Sequence, residues 1–165
     1  MKPADLLELL TACYRDKLAQ VARHEAHAWQ ISEYDFNNTY QYILAREDMH
    51  LAWIRAAVEE LGHAAPERAA SIATPTSRGR RKESESAALL RQDAQEAQAF
   101  VDRWRPKVEV MSHIRNQGML RVVLGETLEQ KRFFDQAVAG RTDLLGRRMD
   151  GAGTGGGVLP TRWLE

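Results

Sequence analysis

Apolar residues in this chain recur at spacings of three and four through four long segments, and no useful stretch alternates apolar with polar residues. A chain with that period buries its apolar surface by packing helix on helix. Leu7, Leu10, Tyr14, Leu18 and Val21 mark a first helix from Asp5 to about Ile31, behind a Lys2-Pro3 start. Ser32 is placed to cap a second helix, with Glu33 and Asp35 in its first turn and Gly62 as its stop. Leu89, Leu90, Ala97, Phe100, Val101 and Trp104 predict a third helix from about Ser86 to Arg105. Pro106 either ends it or opens the fourth, which is expected over roughly Lys107 to Ala139.

The connections choose the architecture. Residues 63–85 hold Pro66, Pro75, many small residues and a basic run, without a sustained apolar period. One tight turn, this long connection and another short turn describe an all-α, antiparallel four-helix bundle over residues 1–140, with a crossover between its second and third helices. About twenty extended residues are ample to span the bundle's length. Residues 141–165 form a glycine-rich tail ending in Val158, Leu159, Trp163 and Leu164, read as a tether with a docking end. Its GAGTGGG run lacks the preceding strand and following helix that a phosphate-binding turn requires.

Composition narrows the function classes. With 165 residues and 44% hydrophobic content the chain can build one core. Lys plus Arg balances Asp plus Glu at 23 each, leaving no global field to attract nucleic acid or an anionic membrane. The RGRRK run at Arg78 to Lys82 is read as a solvated patch within a linker, because Glu83 and Glu85 dilute its charge. No segment has the length of a membrane span or the pattern of a signal peptide. Cys13 is the single cysteine, read as an inert buried residue, and it fits a reducing cytoplasm.

The most informative stretch is the middle of the second helix. There the seam of Tyr40, Ile43, Leu44, Leu51, Ile54, Val58 and Leu61 is interrupted by Glu47 and His50, whose spacing keeps both on the same inward face. A carboxylate in a core needs a cation, a proton or a metal beside it. Glu-x-x-His on an inward face lets both side chains reach one metal. On the fourth helix the stripe Met119, Val122, Val123, Phe133 and Ala137 passes through Glu126 and Glu129. The third offers Asp93 on its apolar side and Glu96 one step round.

AREDMHLAWIRAAVEELG, taken with VVLGETLEQKRFFDQA, resembles the second and fourth helices of the ferritin-like superfamily, nearest in texture to rubrerythrin-type domains. The likeness covers about residues 5 to 140. It implies iron or manganese, bound through Glu47, His50, Glu126, Glu129 and either Asp93 or Glu96, with oxygen or peroxide chemistry. It also implies self-association, at the level of a dimer or beyond. The sequence departs from the pattern on its first helix, where CYRD puts Cys13 or Tyr14 at the expected glutamate and leaves Asp16 as a displaced substitute.

That departure defines the alternative: a bundle that keeps the shape without the metal and acts as a scaffold or interaction module. Glu47 would then pair inside the core with His50, Lys17 or Arg121. His24, Glu25 and His27 are read as surface residues at a helix end, away from the level of Glu47, and His113 carries no assignment. Tyr14 and Tyr40 are read as packing residues.

Overall fold

Pro3 needs no amide hydrogen bond at a helix start, and the Asp5 carboxylate accepts from the Lys2 amide at 3.2 Å. From there the first helix, α1, runs over Pro3–Gln30, followed by α2 over Tyr34–Glu59, α3 over Glu83–Glu109 and α4 over Ile114–Val138. The computed structural model describes residues 2–67, 83–141 and 144–145, and among these there is no strand. The fold is an all-α four-helix bundle. The RGRRK run and residues 146–165 of the tail lie outside the described residues.

Several boundaries differ from those expected. The second helix is preceded by Glu33 in extended conformation with no side-chain cap, so Ser32 does not serve as its cap. Gly62 does close that end, at φ 80°, a left-handed conformation natural to glycine. Pro106 lies inside the last turn of α3, where only one hydrogen bond is forfeited before the helix ends. The fourth helix therefore starts later than expected, with His113 as its cap, accepting from the Asn116 amide at 3.3 Å.

The chain's path follows from its end contacts. Ser86, at the start of α3, donates to Glu33 beside the start of α2. Arg115, at the start of α4, pairs with Glu60 just past the end of α2 at 2.9 Å. Helices α2 and α3 thus run in one direction and α1 and α4 in the other, so the end of α2 and the start of α3 lie at opposite ends of the bundle. Two close hairpins, α1 with α2 and α3 with α4, meet along the wider α1–α3 and α2–α4 sides.

At the end of the bundle near the α3–α4 turn the interior is apolar, built by Leu6, Leu10, Ile54, Val58, Trp104, Val108, Met111 and Leu120. Midway along, polar residues take over the same faces. Lys17, Gln20, His24, Glu47, His50, Asp93, Thr127 and Gln130 are all buried. Tyr14 and Tyr40 are buried as expected, and so is Cys13, whose thiol burial pushes up to about 12.

Candidate functional site

Helix α1 carries Lys17, Gln20, His24 and His27 at steps of three and four, so all four project from one face. That face meets Glu47 of α2, Asp93 of α3 and Thr127 of α4. The Lys17 ammonium has three N–H groups and three oxygens around it: Gln20 Oε1 at 2.8 Å, Glu47 Oε1 at 3.0 Å and Thr127 Oγ1 at 3.3 Å. Thr127 directs its own hydroxyl proton to the Val123 carbonyl at 2.8 Å, which leaves a lone pair for the ammonium.

The other Glu47 oxygen accepts from His24 Nδ1 at 2.8 Å. Since a carboxylate only accepts, Nδ1 carries the proton. Burial alone would raise the Glu47 pKa, but His24 and Lys17 more than offset it and hold the carboxyl at about 2. Lys17 and Glu47 are both fully buried, so Glu47 is an internal anion with an internal cation.

A second cluster lies one turn away, on Asp93. Its Oδ2 accepts from His27 Nδ1 at 2.7 Å and from the Tyr40 hydroxyl at 2.5 Å, and its Oδ1 from Arg23 Nε at 3.1 Å. Burial opposes its charge, yet His24, His27 and Tyr40 lower its pKa, while burial and the carboxylate raise that of Tyr40. His24 Nε2 stands 3.7 Å from Asp93 Oδ1, within ion-pair range but too far for a hydrogen bond, so the imidazole lies between the two buried carboxylates and bonds Glu47 alone.

A third carboxylate closes the α2–α4 side nearer the surface. Glu126 accepts from His50 Nε2 at 2.8 Å and Arg46 Nε at 3.0 Å, and it also bonds the Arg46 terminal nitrogen. Its pKa is lowered despite partial burial because Arg46 and His50 donate to it. His50 moves to about 4, chiefly because burial disfavours its charged form, with Lys17 adding repulsion. It is therefore neutral at pH 7, with its proton on Nε2 and a bare lone pair on Nδ1, which is buried without a hydrogen-bond partner among the described residues.

Of the residues expected at the site, Glu47, His50 and Asp93 do lie inside the bundle and Glu126 lies at its edge. Glu96 and Glu129 do not reach it. Glu96 faces Arg23 at the rim, 3.9 Å away, and Glu129 faces Arg132 on the outside. Nor does Asp16 face Glu47, since it accepts from Arg103 and from Trp104 Nε1 at 3.0 Å.

Among the three partners expected for Glu47, Lys17 is the one present; His50 serves Glu126, and Arg121 lies near Glu109 outside. The reading of His24 and His27 as surface residues is overturned. Both are buried, and both bond the core carboxylates.

These donors do not fit a pair of metals. The Glu47, Asp93 and Glu126 oxygens are taken up by ammonium, guanidinium, imidazole and phenol groups of the chain, and a metal beside Glu47 Oε1 would meet the Lys17 ammonium. Among the described residues no three His, Cys, Asp or Glu side chains are arranged to hold a metal ion. No described helix is long and apolar enough to cross a membrane. The chain matches no family model, no curated protein and no solved structure.

Proposed function

We propose that this protein is a bundle of ferritin-like architecture whose metal centre has given way to an internal ion network, and that it works as a binding or scaffold module. The observation that carries this reading is the fully buried Lys17–Glu47 pair at 3.0 Å. Catalysis needs a route for substrate, and Lys17, His24, Glu47, His50 and Asp93 have no exposed surface. The three carboxylates are held by the chain's own donors and the centre is sealed from solvent, so this reading places function on the outer faces.

One outer face suits binding. Trp53, Ala56 and Ala57 of α2 and Met119 and Val122 of α4 line a groove of about 330 Å³, bordered at one end by Glu60 and Arg115. Met49, one turn before Trp53, is 45% exposed, and Val122 is 48% exposed. A second copy is the occupant proposed for this face, because a two-fold contact pairs each exposed apolar patch with itself, while Glu60 and Arg115 stay paired within the chain at 2.9 Å. In this reading self-association runs through α2 and α4.

Two measurements test the reading. Protein purified without a metal-binding tag is expected to carry no stoichiometric metal by mass spectrometry and to unfold at the same temperature with and without chelator. Near-stoichiometric iron or manganese that is lost with Glu47→Gln would overturn it. Sedimentation is expected to show a dimer that Val122→Glu converts to monomer; an unaltered assembly would place the contact elsewhere.

A further inference from the structure

We propose that the cleft between α1 and α3 binds a small zwitterion of amino-acid type, whose carboxylate meets Gln20 and Arg23 and whose ammonium meets Glu96. The inference goes beyond the scaffold reading and is independent of self-association, because this cleft and the α2–α4 groove lie on opposite sides of the bundle.

The cleft sits on one of the two wider sides, where the helices leave room between them. It holds about 110 Å³, space for several waters or for one molecule the size of a small amino acid. Asp16, Gln20 and Arg23 of α1 border it, with Glu96, Phe100 and Arg103 of α3.

Gln20 is the residue that calls for a ligand. It is 2% exposed, and its Oε1 accepts from Lys17 Nζ at 2.8 Å. An ammonium only donates, so the amide has one orientation: the oxygen faces Lys17 and Nε2 is the arm left for the cleft. That nitrogen carries two N–H groups and has no hydrogen-bond partner among the described residues. A buried donor without an acceptor is costly, and a ligand oxygen seated in the cleft removes the cost.

Arg23 stands one turn further along the same face of α1. Its Nε is committed to Asp93 at 3.1 Å, whereas Nη1 lies 3.9 Å from Glu96 Oε2, too far for a hydrogen bond. The terminal nitrogens of Arg23 thus keep their N–H groups for a ligand among the described residues. A guanidinium end beside an amide N–H suits the planar, two-oxygen shape of a carboxylate.

Charge decides what else the ligand carries. Two guanidiniums, Arg23 and Arg103, face two carboxylates, Asp16 and Glu96, around the cleft. Asp16 is held by Arg103 at 2.6 Å and by Trp104 Nε1 at 3.0 Å, so Glu96, 46% exposed at the rim, is the carboxylate left over. A bare anion would be repelled by Glu96 and a bare cation by Arg23, while a molecule with both charges on adjacent atoms answers both. Phe100 adds an apolar wall for a short aliphatic side chain.

The test follows the Gln20 side-chain amide by nitrogen–proton correlation NMR while the full chain is titrated with L-alanine, propionate or ethylamine at constant ionic strength and neutral pH. Alanine is expected to shift that resonance saturably, with a Kd on the order of 1 mM, and to bind at least about tenfold more tightly than the other two, each of which lacks one of its charges. Glu96→Gln is expected to abolish the preference for alanine over propionate. Gln20→Glu keeps an oxygen toward Lys17 and replaces the N–H donors, and it is expected to lose binding.

No saturable shift with alanine, or an equal response to all three compounds, overturns the proposal. So does undiminished alanine binding, followed by calorimetry, in Gln20→Glu. Should that variant not fold, an undiminished preference in the surface variant Glu96→Gln overturns it as well. Stoichiometric metal in the purified protein would overturn the scaffold reading without altering this titration, so the two failures are distinct.

Discussion

The two halves of the bundle interior solve the same packing problem with different chemistry. Near the α3–α4 turn, Leu6, Leu10, Val58, Val108 and Leu120 exclude water by shape alone. Midway along, Lys17, His24, Glu47 and Asp93 fill equivalent inward positions with groups that lose hydration on burial. Apolar packing tolerates many substitutions of similar volume, whereas a charge network tolerates the loss of no single partner. The comparison teaches that the polar half is the brittle half: its stability is concentrated in a few pairs and depends on pH.

The largest expected effect follows from removing one partner of the deepest pair. Lys17→Met retains most of the side-chain volume but leaves Glu47 with His24 alone, and the loss is expected to be about 3–5 kcal/mol. Adding Glu47→Gln removes the orphaned charge, so the double variant is expected to be more stable than Lys17→Met in urea unfolding. Equal or additive losses would mean that the pair is not coupled. In the apolar half, Leu10→Ala is expected to cost about 2–5 kcal/mol through lost burial and a residual cavity. That loss should be the same at pH 7 and pH 5, which separates the two halves in a single pair of measurements.

The pH dependence has a definite sign. His50 is held near 4 in the folded chain against its ordinary 6.5, so the unfolded state takes up its proton first and stability falls as pH drops from about 6.5 to about 4. Glu47, at about 2 against its ordinary 4.5, adds stability that is complete above 4.5 and is lost as pH falls toward 2. Both act in the same direction, giving an acid-labile bundle with two successive windows. His50→Gln is expected to flatten the upper window, by about 2–3 kcal/mol at most, and to leave the lower one in place. An unchanged slope between pH 6.5 and 4 would show that His50 titrates alike in both states.

Why one helix was legible in the sequence and another was not has a physical cause. The second helix carries apolar residues on both sides of Glu47 and His50, so its seam located both residues correctly. On the first, the inward face changes from Leu6, Leu10, Cys13 and Tyr14 to Lys17, Gln20, His24 and His27. An apolar count then drifts toward Leu7 and Leu18, which only flank the core, and turns His24 and His27 outward. The same drift occurred on the fourth helix, where Val122 suggested a stripe leading to Glu129, while the interior uses Leu120, Val123, Thr127 and Gln130. Periodicity finds a helix's apolar face, and it loses that face where the core becomes polar. The signal that could have recovered it was the matching of levels across the first turn, which sets Lys17 opposite Glu47.

Glu129 supplies the smallest effect and the sharpest check on the level of the network. Its carboxylate is 44% exposed and lies 3.5 Å from Arg132, three residues on along the same helix. An exposed pair of this kind contributes only about 0.2–1 kcal/mol, because water screens both charges and two long side chains must be held in place. Glu129→Ala is therefore expected to change stability by less than about 0.5 kcal/mol, since alanine's better helix propensity offsets part of the lost pair. Glu126, three residues earlier on α4, touches Arg46 and His50, and Glu126→Ala is expected to cost clearly more because it leaves the buried imidazole N–H without its acceptor. The difference between these two variants, read in one denaturant series, marks where the polar interior ends. Equal losses would move that edge outward to include Glu129.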